Sequence, residues 1–310
     1  MRSAPLLSVV IPVYNQGAMI SKTLQSVLDQ RDDDLEVIVV DDGSTDDTPA
    51  VIASFASRIR ALRQDNAGPS AARNLGAQAA VGRYIAFLDS DDHWVAWTSS
   101  HYRQAIEALG NPAFVAGTPW RYADGAGPAH FAEHEPDIAT FVDYFAAGDR
   151  YCWHGASSLV IRRDVFDELG GFFTPLTHAE DIDLTMRLGA HAGFADLRNE
   201  TFAYREHAGG LSRDVAACAG GMKVVLEREL GGVYPGGYAR AEERRRILSM
   251  HLRPIALACL DIGAWRAALR FYGRTFGWHV RLGRWRFLAG FPVMLIRAVW
   301  RRTLARQRKQ

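Results

Sequence analysis

Acidic side chains run out at Asp261. Residues 262–310 contain no Asp or Glu, yet they hold 12 of the 36 Arg and Lys of this 310-residue chain. Upstream of that boundary 35 acidic residues outnumber 24 basic ones, so the first 261 residues carry −11, the last 49 carry +12, and the formal charge of +1 is an average over two unlike parts. Cysteine is scarce. Cys152, Cys218 and Cys259 stand 66 and 41 residues apart, which fits no metal-knuckle spacing and leaves an odd thiol in any disulfide scheme. That excludes a disulfide-stapled scaffold and suits inert thiols in a reducing cytosol. Long apolar runs are missing too. The longest, Phe287 to Ile296, is ten residues interrupted by Pro292 and closed by Arg297, whereas a membrane-spanning helix needs about 20. The N-terminal stretch through Pro12 has one charge and no small-residue cleavage site, so a first strand is expected there rather than a signal peptide. There is no internal repeat and no low-complexity segment apart from the Arg-rich tail. With 48% hydrophobic and 23% charged residues, the composition is globular and not disordered.

Short β-branched runs alternate with helical spacing from Leu7 onward. Ser8–Val13, Leu35–Val40 and Arg83–Leu88 read as strands, and Met19–Leu28, Thr48–Ser57 and Ala71–Ala80 as helices. Strands separated by ten to fifteen helical residues imply βαβ units and an α/β fold, with a mainly parallel sheet flanked by helices. Ligands of such sheets sit beyond the carboxyl ends of the strands. Those ends carry Tyr14-Asn15, Asp41-Asp42-Gly43-Ser44-Thr45-Asp46 and Asp89-Ser90-Asp91-Asp92, so polar and acidic groups gather on one rim. Residues 110–150, with Pro112, Pro119, Pro128 and Pro136, are expected to form irregular loops over that rim. Strand signals return at Ser157–Ile161, helical spacing at Asp181–Leu188 and an apolar stretch at Gly193–Leu197. From about Leu211 the pattern is helical.

Carboxylates packed at the end of a buried strand repel one another unless a cation neutralises them, and hard oxygen ligands suit Mg²⁺ or Mn²⁺. Asp89 and Asp91, with Asp92 beside them, are such a set, and a divalent ion there would clamp a diphosphate. An acidic turn capping the next helix is the competing reading. Ser44–Thr48 is accounted for by helix capping, Asp41 and Asp42 less well.

The motifs Ser8-Val9-Val10-Ile11-Pro12-Val13-Tyr14-Asn15, Glu36 to Asp46, Asn66-Ala67-Gly68-Pro69-Ser70-Ala71-Ala72-Arg73-Asn74 and Tyr84 to Asp92 resemble, in that order, those of family 2 glycosyltransferases. The likeness continues more loosely through Ser157–Arg163, Gly170-Gly171-Phe172, Glu180-Asp181 and His207–Arg213, and so covers residues 5 to about 215. It implies a GT-A type, Rossmann-like domain over residues 1–215 and a helical region over 216–310. It also implies a nucleotide-diphosphate-sugar donor (UDP favoured, GDP or dTDP possible), Mn²⁺ or Mg²⁺, and sugar transfer with inversion. Carried over residue by residue, Pro12, Tyr14 and Asp42 would hold the nucleoside, with Tyr14 against the base and Asp42 hydrogen-bonded to it. Arg73 would reach the nucleotide or its phosphates as a cationic fork. Asp89 would contact ribose or metal, with Ser90 beside it in the donor site, and Asp91 would be the principal metal ligand.

Glu180-Asp181 matches the family's acidic pair at a helix start, with Asp181 as general base. An acceptor hydroxyl must lose its proton as it attacks the anomeric carbon. The same pair also suits a helix N-terminal dipole. His207, five residues before Ser212, stands where the family has a histidine near the diphosphate or metal, or it is a solvated loop residue. His93, His154 and His178 lack ligand spacing. The Gln-x-x-Arg-Trp segment of processive relatives is absent, which favours a single transfer per encounter to a glycan or lipid-linked acceptor in cell-surface polysaccharide or glycoconjugate synthesis. Two rivals are a sugar nucleotidyltransferase, disfavoured by the lack of a Gly-rich basic loop after the first strand, and a catalytically silent nucleotide-sugar-binding scaffold.

In the tail, Trp265, Leu269, Tyr272 and Phe276 fall on one helical stripe with Arg266, Arg270 and Arg274 adjacent. Further on, Arg281, Arg284 and Arg306 project to one side and Arg286, Arg297 and Arg301 to another, around Phe287–Ile296. Residues 262–310 therefore read as a basic amphipathic tail for an anionic membrane surface, placing a cytoplasmic enzyme peripherally at the inner face of the cell membrane. A solvated face or an oligomer contact is the alternative. Nucleic-acid binding is not expected from so apolar a mixture.

Overall fold

The structure, a computed structural model, describes residues 4–30, 32, 34–123, 134–150, 155–207, 210 and 213–307, with side chains as far as 301. Pro128, Cys152, His154 and Ser212 lie outside the described residues, as does the side chain of Arg306. Residues 7–87 build β1 (Leu7–Val13), α1 (Gly17–Leu28), β2 (Leu35–Asp41), α2 (Thr48–Ser54), β3 (Arg60–Arg63), α3 (Pro69–Ala79) and β4 (Tyr84–Phe87). β1 lies parallel between β2 and β4, and β3 extends the sheet parallel to β2. Every residue of β1 is buried, because helices cover both faces of a parallel strand; its sequence is accordingly a continuous apolar run rather than an alternation. In α1, Ile20, Leu24 and Val27 are buried at i, i+4 and i+7. α3 opens on Pro69, whose fixed φ suits a first turn. β3 has no apolar alternation because it is a largely exposed edge.

Next come β5 (His93–Trp94), α4 (Thr98–Leu109), β6 (Phe114–Ala123), β7 (Ile138–Phe141), α5 (Tyr144–Ala147), β8 (Leu159–Arg162), α6 (Arg163–Glu168), α7 (Glu180–Leu188) and β9 (Phe194–Glu206). The sheet runs β3-β2-β1-β4-β8-β6-β9-β5, with β7 also paired to β9. β8 is antiparallel to β4 and β6, β6 and β9 are parallel, and β5 and β7 are antiparallel to β9. The expectation of irregular structure over 110–150 is corrected here: ten of those residues form β6 and four form β7. Pro119 was misleading because it sits at a register shift between β6 and β9, where a strand tolerates proline. The apolar stretch around Gly193–Leu197 is the start of a strand of 13 residues.

By contact density the chain divides into two compact units, residues 1–146 with 153–210 and residues 147–152 with 211–310. The second contains α8 (Val215–Leu230), α9 (Ala241–Ile262), α10 (Trp265–Arg281) and α11 (Trp285–Gln307). Asp214 caps α8 by accepting from the Ala217 N–H at 2.9 Å. Buried Glu229 on α8 is shared by Arg244 (2.6 Å) and Arg245 (3.1 Å) of α9. In α10 the buried line is Ala268, Phe271, Thr275 and Trp278, offset from the expected Trp265–Phe276 stripe, of which Leu269 and Phe276 are nearly half exposed. The small residues Ala268 and Thr275 alternate with Phe271 and Trp278 along that inward line.

Candidate active site

Four segments meet at the carboxyl end of the parallel strands. Pro12 is buried in β1 opposite Val40, and Tyr14, just past the strand, is 45% exposed. Asn15 takes a positive φ of 51°. Its N–H donates to Ser44 Oγ at 2.9 Å, and its Oδ1 accepts from the Thr45 N–H at 2.8 Å, so the loops after β1 and β2 are tied together. Asp42 is buried, and its carboxylate accepts from Gln64 Nε2 (2.7 Å) and from the N–H groups of Ala67 and Gly68 (both 2.9 Å). Asp41 accepts from the Ser44 N–H at 2.8 Å and pairs with Arg63. Both carboxylates thus shape the loops beside Tyr14. Between them and Asn66, Gly43 has φ 80°, and a Cβ there would stand 2.8 Å from the Asn66 nitrogen.

Arg73 leaves α3 and is almost wholly buried. Its guanidinium donates to Glu180 Oε1 at 2.8 Å and to Asp89 Oδ1 at 2.7 Å, and it lies 5.3 Å from the Phe172 ring centroid. The family resemblance implies Arg73 on the nucleotide or its phosphates; in this structure the fork spans two carboxylates, Asp89 after β4 and Glu180 at the start of α7. Burial opposes its charge, but Asp89 and Glu180 outweigh that and raise its pKa. Glu180 is pushed up to about 7 by burial, against the pull of Arg73 and with a contribution from Asp181. Glu180, Asp181 and Asp183 occupy the first turn of α7, where the helix dipole favours anions. Asp181 is partly exposed and bonds the Ile182 N–H at 2.8 Å.

The turn after β4 is held from three sides. Asp89, 35% exposed at its side chain, donates its N–H to Ser157 Oγ at 3.0 Å. The Ser90 carbonyl accepts from the Thr23 hydroxyl at 2.8 Å. Ser157 in turn donates to Asp92 Oδ2 at 2.6 Å, and Asp92 Oδ1 accepts from the Arg205 N–H at 3.3 Å. Asp92 is fully buried, and burial together with Asp91 and Asp89 raises its pKa well above the usual range. Asp91 Oδ2 meets His207 Nε2 at 2.7 Å. Burial and Asp89 push the Asp91 pKa up while His207 pulls it down. Nearby, Tyr122 of β6 bonds His93 Nδ1 at 3.0 Å and stacks on Trp120 with centroids 5.3 Å apart. Burial, then Arg205 and Lys22, lowers His93 to about 4, so the ring is neutral.

Among the described residues no three His, Cys, Asp or Glu side chains form a ready metal cage. Asp91 and His207 stand together, whereas Asp89 is turned to Arg73. That partial donor set fits Mg²⁺ or Mn²⁺, which commonly take one or two carboxylates and complete their shell with phosphate oxygens and water. The structural roles of Asp92 and Ser157 are not legible in the sequence beyond the third acid of the Asp89–Asp92 motif, and the Trp120–Tyr122 pair falls in a region that reads as loop.

Residues 8–170, more than half of the chain, match the family described as Glycosyl transferase family 2. An uncharacterized glycosyltransferase of Nostoc sp. is 31% identical over 179 residues, 53% of this chain and 52% of that protein. One from Rickettsia felis is 49% identical over 88 residues, 28% of this chain and 15% of its relative. The chain thus spans about half the length of the first of these relatives and 15% of the second. Among solved structures, S. aureus TarS 1–349 in complex with UDP-GlcNAc has a TM-score of 0.62 at 18% identity, covering 94% of this chain and 81% of that one. The mannosyltransferase PcManGT from Pyrobaculum calidifontis, in complex with GDP-Man and Mn²⁺, has a TM-score of 0.53 at 17% identity, covering 96% and 88%. Those two likenesses concern the fold, which is of the GT-A kind. On the match over residues 8–170, the chain belongs to glycosyl transferase family 2.

Proposed function

We propose that this chain transfers a sugar, with inversion, from a nucleotide-diphosphate-sugar to a hydroxyl of a glycan or lipid-linked acceptor. The observation that carries the reading is the Arg73 bridge: it joins Asp89, two residues before Asp91, to Glu180, which immediately precedes Asp181. On this reading the bridge joins donor-side and base-side carboxylates in one site. Tyr14 offers an exposed ring to the base, and the loops shaped by Asp42 border the nucleoside. Asp91 and His207 would hold the divalent ion, with Asp89 as a further oxygen donor; when bound, the ion neutralises charge developing on the leaving diphosphate.

Asp181 accepts the proton of the acceptor hydroxyl as its oxygen bonds to the anomeric carbon. The bond from that carbon to the diphosphate oxygen breaks, its electron pair leaving with the nucleoside diphosphate. Attack comes from the face opposite the leaving group and inverts the anomeric centre. Glu180 stays paired with Arg73 and steadies the first turn of α7. TarS 1–349 is in complex with UDP-GlcNAc and PcManGT with GDP-Man and Mn²⁺, which supports a nucleotide-sugar donor, UDP first, and Mn²⁺ or Mg²⁺. Residues 1–215 would house catalysis, and the basic segment 262–310 would keep the enzyme at the inner face of the cell membrane, near a lipid-linked acceptor.

The test is a donor screen with product analysis. Nucleoside diphosphate should appear, and pyrophosphate would indicate nucleotidyl chemistry instead. Asp181→Asn should abolish transfer while keeping metal-dependent nucleoside diphosphate binding, and Asp91→Ala should weaken both. Full transfer by Asp181→Asn would refute the assignment of the base, and no turnover or hydrolysis of any donor would favour a silent binding scaffold.

A further inference from the structure

α11 has two apolar faces. Leu288 and Phe291 are buried; Phe291 stacks on Tyr272 at 4.3 Å, Tyr272 donates its hydroxyl to the Leu288 carbonyl at 2.9 Å, and Phe287 packs on His279 at 4.7 Å. That face is spent on α10. The second face points outward: Trp285, Val293, Ile296 and Trp300 are 61%, 48%, 67% and 69% exposed. At 3.6 residues per turn these four fall within roughly 80° of one another, along about 22 Å of helix from Trp285 to Trp300. The apolar run Phe287–Ile296 is thus divided, its first half facing inward and only its end outward. Arg286, Arg297 and Arg301 occupy the sector beside the outward stripe and, among the described residues, pair with no carboxylate, whereas Arg284 is turned to Asp149 at 2.6 Å.

Of the sixteen large apolar side chains exposed among the described residues, ten lie between 262 and 300, so the outward stripe belongs to the part of the molecule richest in uncovered apolar surface. No described helix is long and apolar enough to cross a membrane. We infer that the outward face of α11 lies in the plane of an anionic phospholipid surface, with Trp285, Val293, Ile296 and Trp300 among the upper acyl chains and Arg286, Arg297 and Arg301 on the headgroup phosphates. Tryptophan at both ends of the stripe suits the polar–apolar boundary, and an arginine flank suits lipid phosphate. A two-fold contact between copies of this face would bring identical arginine rows together without an acid to offset them, and a polynucleotide would leave the central aliphatic stripe in water. The inference deepens the membrane partner of the proposed function, but it stands on α11 alone.

The experiment is flotation of the full chain with vesicles of phosphatidylcholine mixed with phosphatidylglycerol, and with phosphatidylcholine alone. Binding is expected to the mixed vesicles only, weakening with salt. Neutralising each of Arg286, Arg297 and Arg301 with Gln should weaken partition roughly fivefold, and all three roughly a hundredfold. Ile296→Asp and Trp300→Ser should abolish it, with circular dichroism and nucleoside diphosphate binding unchanged. Equal binding by the substituted proteins, no binding by the parent chain, or a dimer in light scattering that Ile296→Asp dissociates would each overturn the inference. If the parent binds vesicles but turns over no donor, the transferase reading fails and this one stands.

Discussion

Arg73 holds two carboxylates apart and together, and its loss has a direct cost. Removing one partner of a buried charge network costs about 3–5 kcal/mol, so Arg73→Ala should lower the folding stability of the first unit by that order, and Arg73→Lys by less, in denaturant titrations. Asp92 and Ser157 act one step further from the chemistry. Asp92 ties the turn after β4 to the backbone of Arg205, and Ser157 bridges Asp92 to the Asp89 N–H. Both side chains are buried, and groups that orient metal ligands typically change metal affinity by about 10–100-fold when substituted. Asp92→Asn and Ser157→Ala should therefore weaken Mn²⁺ binding in calorimetry by about tenfold or more, with nucleotide base preference unchanged. An affinity equal to that of the parent chain would assign both residues to folding alone.

At the scale of elements, close packing makes two further expectations. A Cβ on Gly76 of α3 would lie 2.4 Å from Val10 Cγ1 of β1, and overpacking of this kind costs about 1–3 kcal/mol; Gly76→Ala should lower the melting temperature accordingly. His279 of α10 is buried against Phe287, and among the described residues both ring nitrogens lack a hydrogen-bond partner. Burial first, then Arg253 and Arg284, depresses it to about 4 from 6.5. A depressed histidine binds fewer protons folded than unfolded, so its contribution is intact above pH 6.5 and is lost as pH falls from 6.5 toward 4. His279→Leu should flatten the fall in melting temperature across that window; an unchanged slope would assign the acid sensitivity to His93, which is depressed to the same value. Legibility differs sharply between elements. β1, β2 and β4 were readable because central parallel strands are apolar throughout, and α1 and α3 because one stripe meets the sheet. β3, an arginine-bearing edge, and β6, with a proline at a register shift, carry no such pattern, because neighbouring strands supply the hydrogen bonds that local composition does not advertise.

For the whole molecule, ligand linkage is the most economical check. A ligand that binds only the folded state stabilises it by about 2.7 kcal/mol at a hundredfold excess over its Kd, so UDP, GDP and dTDP, each with and without Mn²⁺, should separate in a thermal-shift series, with UDP plus Mn²⁺ giving the largest rise. The acid-free boundary at Asp261 falls near the end of α9, and α10 and α11 beyond it carry the uncompensated arginines. By itself the sequence determined the three central parallel strands β1, β2 and β4, the order of the acidic loops at their rim, the family, and the separation of charge, because each is written in contiguous residues whose spacing matches one element or one loop. Tertiary structure alone decided that Arg73 is shared between Asp89 and Glu180, the latter 107 positions away, that Asp92 meets Ser157 across 65 positions and Arg205 across 113, and which side of α11 is left uncovered. Those outcomes depend on which distant surfaces meet when the core closes, and periodicity along the chain records only that a side chain has a face, not what that face touches.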